Sequence, residues 1–206
     1  MHISEGILPL SVWASGYAVA VTVAAVSMRN MDMEEIPKIS VLTAVFFIAS
    51  LIKVPLGPAS IHLILNGLLG VILGRRAFIA IMLGIILQAI IFGHGGITVI
   101  GINTLMMGTG ALVGYGVWRL RHLVNFKKKE MIFGALAGAI GSVTSGSMLA
   151  AFLMTTGQAF NTIAEGVLLA HIPIMIIEAV VTGACADFLH RIRPDMLTGH
   201  RKSGYQ

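Results

Sequence analysis

The chain has 206 residues, 56% of them hydrophobic and only 11% charged, whereas a water-soluble domain carries about 25% charged residues; that composition excludes an ordinary soluble domain. Its net charge of +5 comes from short basic clusters between apolar runs, not from the basic, aromatic-interleaved face that nucleic acid requires. The single cysteine, Cys185, excludes both an internal disulfide framework and a thiolate metal site.

In chain order, residues 1–10 lack the basic n-region and short apolar h-region of a cleavable signal. Met1 is expected to be retained before the bulky His2, leaving a free amine on an external segment. Membrane helices are expected near 11–28, 38–53, 59–74, 77–92, 103–120, 131–155 and 167–190, since about 20 apolar residues cross the hydrocarbon core. The breaks are the charged, Met-rich link Arg29 to Lys38, the Pro55-Leu56-Gly57-Pro58 turn, Arg75-Arg76, the Gly93-His94-Gly95-Gly96 loop, the basic run Arg119 to Lys129, and polar Thr155 to Glu165. The third and fourth spans are short and call for tilt or local thinning of the bilayer. With 24 glycines, many inside the apolar runs, helix backbones can approach closely in lipid. The expected fold is an all-α bundle of seven transmembrane helices over 11–190, followed by a basic cytoplasmic tail, 191–206.

Seven spans put alternate loops on opposite sides. One side then collects Arg29, Lys38, Arg75, Arg76, Arg119, Arg121, Lys127, Lys128, Lys129, Arg191, Arg193, Arg201 and Lys202, thirteen of the fourteen basic residues, and the other holds Lys53 alone. The positive-inside rule places the N-terminus outside and the C-terminus inside.

On that map His2, His62, His94 and His171 fall on the outer side, while His122, His190 and His200 lie inside among basic residues. Position 2 carries the strongest signal. The terminal amine of Met1, the His2 amide nitrogen and His2 Nδ1 can chelate one ion through a five-membered and a six-membered ring. Such a planar nitrogen set suits Ni(II), Cu(II) or low-spin Co(II) and not Mg, Ca or Mn. His62, expected in the first turn of the third helix, is the candidate fourth nitrogen. Asn66 or Ser60 would orient its ring, as ligating imidazoles require, with Glu5 as a nearby negative charge and His94 close by.

The opening MHISEGILP, the stretches PLGPASIHLILNGLLGVILG (55–74) and LQAIIFGHGGITVIGINTLMMG (87–108), and HIPIMIIEAVVTG from His171 resemble the motifs of CbiM/NikM-type substrate-capture (S) components of energy-coupling-factor transporters for cobalt and nickel. The resemblance covers most of the apolar region in the expected order. It implies that Met1, His2 and His62 form the ion site with His94 nearby, and that Co(II) or Ni(II) is the transported substrate, with no organic cofactor. It further implies a scaffold (T) subunit in the cell membrane, two cytoplasmic ATPases and often a small two-span auxiliary protein. Cobalt-type members often read Ser-His-Pro-Thr-Gly around the internal histidine; here it is Ser60-Ile61-His62-Leu63, so the metal stays open.

The chain has no Walker A sequence and no His-Glu-x-x-His helix, so it is expected to be a transporter subunit and not an enzyme. The alternative is a proton-coupled secondary transporter of divalent metals using Glu178, a carboxylate in mid-span. An internal repeat, which would favour that alternative, is not visible.

Overall fold

The computed structural model describes residues 2–51, 53–56 and 59–199. The order is β1 (His2–Ile3), α1 (Leu10–Met28), α2 (Ile36–Ala49), β2 (Lys53–Leu56), β3 (Ala59–His62), α3 (Asn66–Leu73), α4 (Ala77–Phe92), α5 (Ile100–Arg119), α6 (Lys129–Thr156) and α7 (Asn161–Ile192). The fold is mostly helical. Among the described residues five helical stretches are long and apolar enough, by length and composition, to cross a membrane: Leu10–Met28, Asn66–Phe92 (α3 and α4 taken together, although the chain reverses between them), Ile100–Leu123, Lys129–Thr156 and Gln158–Ile192.

The expected third helix, 59–74, is the main correction. Its first part is strand β3, paired antiparallel with β2 (Lys53 opposite His62, Leu56 opposite Ala59), and helix begins only at Asn66. The β-branched Val54 and Ile61 favour extended chain. The resulting α3 has 8 residues, about 12 Å of rise, too short to cross alone. His62 therefore sits at the end of a strand, not in a first helical turn. Smaller differences are an earlier end to the second helix, at Ala49, and an earlier start to the seventh, at Asn161.

The helices bring the chain's loops to two ends. At the basic end, buried Arg76 donates to the carbonyls of Ser27, Arg29 and Asn30 that finish α1, an arginine serving as a C-terminal cap, and its guanidinium also pairs with Glu35 at 2.9 Å. Lys38 donates to the Met196 carbonyl, and Arg121 stacks on Trp118 while bonding the Thr198 carbonyl. Thr198 in turn donates to Val71 near the end of α3. Residues 193–199 thus fold back on the bundle; His200, Arg201 and Lys202 lie outside the described residues. The chain reverses at Gly74, whose φ of +59° suits glycine. From there α4 returns to the other end, where Gly93 in the left-handed conformation closes it and the His94 loop begins.

Candidate metal centre

The N-terminal segment is a strand in a three-stranded sheet of order β1-β3-β2, with His2 opposite Ser60 and Ile3 opposite Ala59. Its outer edge is held by a side chain. Asn103 at the start of α5 accepts the Ile3 N–H at 2.9 Å and donates to the Ile3 carbonyl at 3.2 Å, imitating a fourth strand for one residue. Because successive residues of an extended strand turn their polar groups to opposite sides, this leaves the N–H and C=O of His2 facing β3. Proline at position 55, opposite Ser60, has no N–H to offer, which suits a Ser60 backbone turned toward β1.

The loop after α4 closes over this strand. Gly95 and Gly96 have φ of +77° and +98°, and a Cβ on either would collide, at 2.7 Å with Asn103 Nδ2 or 2.6 Å with Glu5. Only glycine allows so close a wrap. Glu5 itself accepts the Thr98 N–H at 3.1 Å, so it straps the loop to the N-terminal segment. Buried Gln88 donates to Ser50 Oγ at 2.6 Å, tying the ends of α4 and α2, and its carbonyl accepts the His94 N–H.

Three imidazoles meet here. The ring of His2 lies 5.1 Å from that of His62 and 6.1 Å from that of His94, centroid to centroid. His2 and His62 are buried. His62 Nδ1 is 2.9 Å from the Leu63 carbonyl, an acceptor only, so Nδ1 carries the proton and Nε2 presents its lone pair. Nε2 is buried without a hydrogen-bond partner among the described residues. Burial also pushes the His62 pKa down to about 4, keeping the ring neutral, the form that binds metal.

Other expected contributors are placed differently. The Asn66 side chain faces α6, donating to the Gly141 carbonyl and Ser145 Oγ and accepting the Gly67 N–H; Leu63 orients His62 in its stead. His171 is buried in α7 with Nδ1 on the Val167 carbonyl of its own helix. Met1 and the side chain of Ser60 lie outside the described residues. Among the described residues no three His, Cys, Asp or Glu side chains stand at ligating spacing, so side chains alone do not complete a site. Sequence reasoning missed Asn103. The signal available was an amide inside the apolar GINTLMMG run, where an unpaired polar group is costly.

Residues 2–196 match the family described as "Cobalt uptake substrate-specific transmembrane region", CbiM. The chain belongs to that family. A putative metal transport protein of Haemophilus influenzae is 33% identical over 96% of this chain and 97% of its own length. A fused nickel transport protein, NikMN, of Rhodobacter capsulatus is 29% identical over 98% of this chain, which spans 65% of that longer protein. The crystal structure of a truncated transition metal transporter superposes with a TM-score of 0.77 at 27% identity, covering 93% of this chain and 99% of that one. As a CbiM-family chain with several membrane-length helices, this protein is a multi-pass membrane component of cobalt or nickel transport.

Proposed function

We propose that the chain is the ion-capturing component of an ATP-driven importer, taking Co(II) or Ni(II) at the outer face on a square of nitrogens. Three come from the chelate of the Met1 amine, the His2 amide and His2 Nδ1; the fourth is His62 Nε2. The observation that carries this reading is the pairing of a buried, neutral His62, its Nε2 unengaged among the described residues, with an N-terminal strand seated beside it. Planar nitrogen coordination selects these ions over the abundant oxygen-seeking cations. The His94 loop, wrapped over the strand by Gly95 and Gly96, shields the ion from water. Binding by the amide requires that the His2 proton leave and its contact toward β3 be given up, so the ion competes with one rung of the sheet.

Energy comes from partners: a membrane scaffold subunit and two cytoplasmic ATPases, with a small two-span auxiliary protein. The fused relative, in which a chain like this one is joined to further sequence, supports association with other transport components. The alternative, proton-coupled transport through Glu178, is disfavoured because that carboxylate already accepts two backbone N–H groups. The deciding experiment measures metal uptake into proteoliposomes. Uptake is expected only when scaffold, ATPases and ATP accompany this chain; gradient-driven uptake by the chain alone, abolished by Glu178→Gln, would overturn the reading.

A further inference from the structure

Glu178 lies in α7, fully buried, and its Oε1 accepts the N–H of Ile64 at 2.7 Å and of Leu65 at 2.6 Å. These residues form the turn between β3 and α3. Leu65 there has a φ of +56°, a left-handed conformation that a leucine holds only when its surroundings impose it.

The peptide unit joining Leu63 to Ile64 is one rigid plane with its C=O and N–H pointing in opposite directions. The N–H end is bonded to Glu178; the C=O end is bonded to His62 Nδ1. A carboxylate, a peptide and an imidazole therefore stand in line. The Glu178 oxygen on the N–H fixes the tilt of the plane and polarises the carbonyl, which in turn sets the ring orientation of His62 and supports the basicity of Nε2. The same end is served in metalloproteins by a carboxylate touching the ligating histidine directly; here one peptide is interposed. The carboxylate reaches the turn because α3, α6 and α7 cross closely: a Cβ on Gly67 would sit 2.5 Å from Gly138 Cα, and one on Gly138 would strike the Glu178 carbonyl.

We propose that Glu178 is a positioning residue for ion capture, acting through the Leu63–Ile64 peptide to aim and strengthen His62 Nε2. The proposal rests on the reading of His62 as a ligand.

The test is titration of the purified full-length chain with Ni(II), read as affinity and as the d–d absorption band, which moves to longer wavelength when a nitrogen leaves the square plane. Variants are Glu178→Ala, Glu178→Gln, His62→Ala and the double variant Glu178→Ala/His62→Ala, each checked for folding by thermal melt. Glu178→Ala is expected to weaken binding about 10- to 100-fold and to shift the band part of the way that His62→Ala shifts it. Glu178→Gln, whose amide oxygen accepts the same N–H groups, is expected to recover most of both. In the His62→Ala background, Glu178→Ala is expected to add little, because the two act on one ligand. Equal losses in both backgrounds, or an unchanged band in folded Glu178→Ala, overturn the proposal. An unchanged band in His62→Ala overturns instead the ligand assignment beneath it. Should Glu178→Ala not fold, Glu178→Asp replaces it, since a carboxylate withdrawn by one methylene tests the same coupling on the same criteria.

Discussion

At the scale of single residues, the ring of His62 is aimed by the next carbonyl in its own chain, and the strand that carries His2 is aimed by Asn103. The two predict different losses. On the proposed nitrogen square His62→Ala removes a ligand, and it is expected to weaken Ni(II) or Co(II) binding more than about 100-fold, beyond the 10- to 100-fold typical of an orienting partner; calorimetric titration checks this. Asn103→Ala leaves the buried N–H and C=O of Ile3 unpaired, costing about 1–3 kcal/mol for each group. It is expected to weaken binding about 10-fold or more while the helices persist, and binding of wild-type strength in folded Asn103→Ala would show that the clamp is dispensable. At the basic end, the Arg76 hydrogen bond holds the Glu35 carboxyl below its usual range. A carboxyl with a depressed folded-state pKa stabilises above its unfolded value, about 4.3, and that contribution fades as pH falls through the folded value. Thermal melts of the wild type and Glu35→Gln should therefore differ at neutral pH and converge below about pH 4. Glu35 is partly exposed, so the neutral-pH difference is expected to be small.

At the scale of elements, the N-terminal strand makes a demand on covalent structure. Acetylating the Met1 amine is expected to remove high-affinity binding and leave the melting temperature of the ion-free protein unchanged, as metal titration and thermal scans would show; undiminished binding would sink the chelate. Most helices were legible in the sequence because their apolar runs end at strong breakers: Gly93 closes α4 as its position in the sequence implies, and the Arg75-Arg76 pair separates α3 from α4. The sheet was not legible. Strands of two and four residues leave too short a pattern to separate from helix by periodicity, and β1 and β3 are joined only across the fold. For the same reason the site was read in part. The histidines at 2, 62 and 94 announce themselves by residue type and by lying on one side of the map. The contacts that aim them, Leu63 on His62 and Asn103 on Ile3, are a backbone carbonyl and a partner one hundred residues away, which no local pattern encodes.

At the scale of the whole molecule, the histidines gather at one end and the guanidinium caps at the other, so the proposed orientation has a direct test. With Cys185→Ala removing the native thiol, a cysteine at exposed Ile97 should react with an impermeant thiol reagent in intact cells. One at exposed Phe126 should react only after lysis, and the reverse pattern would invert the topology. The strand order β1-β3-β2 has a further consequence, for biosynthesis. The first strand to leave the ribosome cannot dock until the hairpin that flanks it and then Asn103 have been made and inserted, because its two edges belong to residues 59–60 and 103. For the time needed to synthesise about half the chain, His2 and Ile3 lack both of the edges that hold them in the finished fold, and in the proposed orientation they wait on the outer side of the bilayer, open to proteases and to stray copper. A cell that makes this protein needs its N-terminus to survive that wait intact, and pulse-labelled intermediates truncated before residue 103 should be far more readily clipped at their N-terminus than the finished chain.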